Sequence, residues 1–175
     1  VSNFKKTLAA AAIGVALSPF AFAHVTLDQP TGQADTYHKL AFRVGHGCDG
    51  SPTRSITVML PESVTGAKPM PKAGWKISTV KGKLSVPQES HGKAVTTAVR
   101  EVTWTGGPLA DEHFDEFVVQ AKLPAEPGKV YFKVVQQCVK GSMAWDELPG
   151  DAGARLLAPA PVLTIVPATG PAHAH

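Results

Sequence analysis

Histidine 24 stands directly after Ala21-Phe22-Ala23, the A-x-A pattern that signal peptidase reads. Cleavage between Ala23 and His24 would make the histidine the new N-terminus, with two nitrogen donors on one residue. Its α-amine and its Nδ1 close a six-membered chelate ring on a single metal ion. An α-amine has an ordinary pKa of about 7.7–8.0, so a metal displaces its proton near neutral pH. Copper(II) favours nitrogen donors in a tetragonal arrangement and stands at the top of the divalent affinity order. An internal His24 has an amide in place of the amine and loses the chelate. Histidine fills 7 of 175 positions, so its place at the cleavage point is also open to chance.

A second histidine lies in Val44-Gly45-His46-Gly47-Cys48-Asp49-Gly50. His46 continues the parity of Leu40, Phe42 and Val44, where that strand is expected to end. Its flanking glycines suit a tight loop and a close approach by another group. A histidine packed at a strand end fits the same residues. The chain has two cysteines, Cys48 and Cys138. In an exported chain they are expected to form one disulfide; a thiolate metal pair is the alternative, without a Cys-x-x-Cys motif to favour it. The bridge would bring His46 beside the segment that carries Met143, Trp145 and Asp146. Trp145 is then placed to cover one side of a metal ion, or simply to pack in the core. Met143 is a soft donor suited to copper(I) and equally a packing residue. Asp146 and Glu147 offer an axial oxygen or a solvated surface. His38, His91 and His113 are weaker candidates, and the tail histidines His173 and His175 form a loose His-x-His site at most.

These residues need a scaffold that is exported. Lys5 and Lys6 precede an apolar run over residues 7–17, too short for a membrane-spanning helix, which needs about 20 residues. Residues 1–23 are therefore expected to be a cleaved signal peptide, with an uncleaved anchor as the alternative. The mature chain is expected to be periplasmic or otherwise exported and to have no transmembrane segment. Residues 24–167 are long enough for one domain, and residues 168–175 read as a flexible tail. Loss of the two lysines lowers the net charge from +3 to +1. The remaining basic residues are scattered, which argues against nucleic acid as a partner.

Within the mature chain, apolar residues recur with period two. Leu40, Phe42 and Val44 form one such set, and Ile56, Val58 and Leu60 another, stopped by Pro61. Trp75, Ile77 and Thr79 follow, then a strand from near Thr96 to Trp104. Phe117, Val119, Ala121 and Leu123 alternate up to Pro124. Val130, Phe132 and Val134 lead toward Cys138, and Leu163 and Ile165 mark a last strand. Gly and Pro clusters separate these runs. About seven short strands without a helical pattern predict an all-β sandwich.

Taken in order, His24-Val25-Thr26 at a cleavage site, Tyr37 through Val44, Gly74-Trp75-Lys76, Phe117-Val118-Val119-Gln120-Ala121-Lys122 and Trp145 resemble the YcnI-like family of exported copper-binding domains. The resemblance spans nearly the whole mature chain and rests on order and spacing rather than on one short motif. It implies an immunoglobulin-like or cupredoxin-like sandwich. It also implies one copper(II) ion per chain, held by the amine and imidazole of His24 with Trp145 beside it. Members of the family use a carboxylate near the end of the second strand; this sequence has no Glu there and offers His46. A two-histidine variant of the brace follows as the expectation, with metal ligands His24 and His46.

The resulting expectation is copper delivery, storage or homeostasis in the cell envelope. Other periplasmic copper chaperones or a membrane copper transporter are the expected partners. Two other classes compete. A histidine brace can also activate oxygen in a copper monooxygenase, but that needs an open coordination position and a substrate face, and the aromatic residues here are dispersed. A metal-free immunoglobulin-like interaction module fits the disulfide and the strands and predicts no tight copper binding. A hydrolase is disfavoured, since both cysteines are assigned to the bridge and no nucleophile elbow occurs.

Overall fold

The computed structural model describes residues 24–90, 92–150 and 155–169. The expected signal peptide, His91, His173 and His175 lie outside them. Along the described residues run β1 (Thr26–Leu27), β2 (Thr31–Gln33), β3 (Tyr37–Val44), β4 (Thr53–Met59), β5 (Thr65–Pro69) and β6 (Trp75–Ser90). Then come β7 (Lys93–Leu109), β8 (Asp115–Lys122), β9 (Gly128–Tyr131), β10 (Lys133–Cys138), β11 (Ser142–Trp145) and β12 (Val162–Val166). The fold is all-β and forms a single domain, as the alternation predicts.

Two sheets face each other. One has the order β1-β3-β8-β5, the other β11-β10-β4-β7-β6. A third, small sheet of β2-β12-β9 closes the end at which β3 begins, with β12 parallel to β2. The core forms where the inward parities meet. Leu40, Phe42 and Val44 from β3 and Phe117, Val119 and Ala121 from β8 are fully buried. Ile56, Val58, Val102, Trp104 and Val134 oppose them from the second sheet, also fully buried. The Trp104 and Phe117 rings meet at 5.6 Å, and Trp75 stands edge-on to Phe117 at 4.9 Å, geometries that aromatic quadrupoles favour.

Two strand expectations need correction. The run Val130-Phe132-Val134 is not one strand. It pairs with β12 as far as Tyr131 and with β4 from Lys133 onward, changing sheets around Phe132. Alternation continues unbroken because Phe132 points into the shared core, against Phe42 at 5.4 Å. The strand expected from Thr96 begins at Lys93 and forms a long hairpin with β6. Edge strand β6 carries Lys76, Lys81 and Lys83 and keeps one free edge; charges there discourage pairing with another chain.

Candidate metal centre

The end of the sandwich where β3 stops collects the residues that can do chemistry. β1 runs antiparallel to β3, with Thr26 opposite Arg43 and Leu27 opposite Phe42. Carried on by two residues, that register brings His24 level with Gly45, next to His46. Val25 is buried beneath β1 and anchors this first segment to the core. The salt bridge from Arg43 to Asp28 at 2.6 Å adds a surface tie of small energy.

Trp145 is the floor of the site. It is 2% exposed, so it belongs to the core and yet reaches both histidines. The His24 ring stands edge-on to it at 5.8 Å and 87°, the His46 ring at 6.0 Å and 79°. Both imidazoles are half-buried, and Nε2 of His24 is turned into the protein. A six-membered chelate with an α-amine would use the other ring nitrogen, Nδ1. His46 Nδ1 lies against the carbonyl oxygen of Gly47. A carbonyl only accepts, so this partner assigns the proton to Nδ1 and leaves the lone pair at Nε2. An orienting bond on the other ring nitrogen is the usual support of a metal-ligating histidine.

The His46 loop is held by several independent ties. Cys48 and Cys138 are joined in a disulfide across a sequence separation of 90. Cys48 and Ser51 exchange backbone hydrogen bonds of 3.0 and 2.9 Å. Between them Asp49 and Gly50 both have positive φ, 48° and 79°. Asp-Gly is the pair that such a tight turn requires. The Gly47 N–H donates to Asp111 at 2.8 Å, and a Cβ at Gly47 would lie 2.0 Å from the Ser51 carbonyl oxygen. Val139 N–H donates to the Pro52 carbonyl and Lys140 N–H to the Ser51 hydroxyl, stitching the loop to the end of β10.

Beneath the loop sits Gln136, fully buried. It donates to the His46 carbonyl at 2.7 Å and to the Thr53 hydroxyl at 2.7 Å. It accepts from the Trp145 indole N–H at 3.0 Å. Sequence reasoning passed over Gln136, Thr53 and Asp111. Gln136 did leave a signal: it occupies the inward parity set by Phe132 and Val134, where an apolar residue is the rule.

The other candidates separate from this cluster. Met143 is half-buried and packs against the core. Asp146 is exposed, whereas the Glu147 carboxylate accepts from the N–H groups of Leu157 and Ala158, fixing the following loop. His113 is exposed in the β7–β8 loop. His38 lies at the far end of β3; its Nε2 is buried without a hydrogen-bond partner, and burial pushes its pKa down. Among the described residues no three His, Cys, Asp or Glu side chains cluster. The cluster at Trp145 thus brings together two imidazoles, those of His24 and His46. No helix of the described residues is long and apolar enough to cross a membrane.

A structure of similar fold exists. The crystal structure of an uncharacterized protein from Nocardia farcinica, described as having an immunoglobulin-like fold, is 30% identical to this chain. The match covers 81% of this chain and 97% of that one, with a TM-score of 0.64. No curated protein matches the chain. The profile of a domain of unknown function, DUF1775, matches residues 24–165. With its immunoglobulin-like sandwich and a match across that span, the chain belongs to the DUF1775 family.

Proposed function

We propose that this protein is an exported carrier of copper(II), which it holds as cargo at the β3 end of the sandwich. The observation that carries this reading is the placement of His24 and His46 edge-on to one buried indole, Trp145. The family match begins at residue 24, the residue that the expected cleavage would expose. His24 supplies its α-amine and Nδ1, and His46 supplies Nε2. A nitrogen-rich set of this kind suits copper(II) above other divalent ions. Trp145 closes the inner side of the site against water and bulky ligands. The outer side stays at the edge of the sandwich, which suits handing the ion to a periplasmic chaperone or a membrane transporter. The protein's own work is to fix the two imidazoles: the disulfide, the Asp49-Gly50 turn and Asp111 set the His46 loop, and the register of β1 on β3 sets His24.

The test of the two-histidine assignment is electron paramagnetic resonance of the copper(II)-loaded, processed protein beside its His46→Ala variant. The reading expects the variant to lose one nitrogen from the spectrum and to bind more weakly. An unchanged spectrum removes His46 from the ligand set.

A further inference from the structure

The residue that ties this site together is not a ligand. Gln136 is fully buried on β10, opposite Ile56 on one side and Met143 on the other. Its side chain has two N–H donors and one carbonyl acceptor, and all three are used. One hydrogen goes to the backbone carbonyl of His46, the other to Thr53, and the oxygen receives the Trp145 indole N–H. If filling space were its purpose, Met or Leu would fill the position without requiring three matched partners. Two of those partners belong to the metal centre: the backbone of one imidazole donor and the ring against which both imidazoles stand.

We propose that Gln136 is the positioning residue of the copper site. Through one side chain it sets the height of the His46 loop and the tilt of the Trp145 indole, so that donor and shield keep a fixed relation. This role rests on the copper reading above. Asp111 holds the same loop one residue on, at Gly47, so the loop is tied both to a buried amide and to a carboxylate.

Two variants separate positioning from packing. Gln136→Met keeps the volume and removes all three hydrogen bonds. Its copper(II) affinity is expected to fall by about 10–100-fold, the usual effect of losing a group that orients a ligand, with a shifted paramagnetic resonance spectrum. In the metal-free protein the Trp145 indole N–H is expected to lose its protection from solvent exchange. Gln136→Glu is the conservative variant, and it carries the test if Gln136→Met does not fold. A carboxyl has at most one donor, so it cannot serve the His46 carbonyl and the Thr53 hydroxyl together as the amide does. The variant's copper(II) affinity is therefore expected to fall several-fold with a shifted resonance spectrum, an effect that a space-filling role does not produce. A folded Gln136→Met protein with wild-type affinity and spectrum overturns the role, as does a Gln136→Glu protein with wild-type affinity and spectrum. A wild-type protein that takes no copper overturns the copper reading and this role together, whereas equal binding by wild type and Gln136→Met overturns the role alone.

Discussion

Replacing both bridge cysteines, Cys48→Ala with Cys138→Ala, tests what holds the His46 loop. The bridge closes a sequence separation of 90, for which loop-closure entropy gives a stabilisation of about 4.6 kcal/mol at 25 °C. That is a large share of the roughly 5–15 kcal/mol by which a domain is stable. The locally folded loop should survive, because Gly47, Ser51, Pro52 and His46 keep hydrogen bonds to Asp111, Lys140, Val139 and Gln136. The variant should therefore unfold at much lower urea yet, while folded, give the copper(II) spectrum of the wild type. Urea titration followed by far-ultraviolet circular dichroism measures the first, with the slope compared because an unbridged unfolded chain exposes more surface. A loss of less than about 1 kcal/mol would refute the entropic reasoning for this bridge. A full loss of stability together with a changed copper spectrum would show that the hydrogen bonds alone do not hold the loop.

Other perturbations follow from single contacts. Gly47→Ala puts a Cβ 2.0 Å from the Ser51 carbonyl oxygen, so the backbone of the loop must open; we expect a loss of about 1–3 kcal/mol in urea titrations and weaker copper binding. Trp145→Phe removes the indole N–H that Gln136 accepts and leaves a buried acceptor, at a cost of about 1–3 kcal/mol by the same measurement. His38 has its pKa lowered from 6.5, mainly by burial, with the Gln29 backbone hydrogen bond opposing the shift. The unfolded chain then binds the proton first, so stability is full above about pH 6.5 and declines as pH falls through the lowered folded-state value. Urea midpoints measured between about pH 7.5 and 5 should fall more steeply for wild type than for His38→Leu; parallel curves would remove His38 from the acid response.

Much of the fold is readable from alternation because β3, β4 and β8 each bury a run of alternate apolar residues. Leu40, Phe42 and Val44, or Phe117, Val119 and Ala121, have no other reason to recur at period two. Edge strands escape the same reading. β5 alternates half-buried with exposed residues and has no apolar stripe, and β6 carries lysines and a proline among its valines because one edge faces solvent. The change of sheet around Phe132 is invisible to periodicity, since both sheets share the core into which Phe132 points. At the candidate site, His24, His46 and Trp145 are visible as residue types. Their proximity depends on the Thr26–Arg43 register and on the pairing of β11 with β10, neither of which is written in local sequence. Gln136 shows the opposite case, a polar residue on an inward parity whose purpose appears only once its three partners are in place.

The most direct test of the copper account is a copper(II) titration of the processed protein that begins at His24, beside the same protein with one extra residue before His24. The account predicts tight one-to-one binding with a nitrogen-rich tetragonal resonance signal, lost when the histidine's nitrogen becomes an amide. Binding that is weak, or indifferent to the added residue, would contradict it and leave His24 without a role in metal binding.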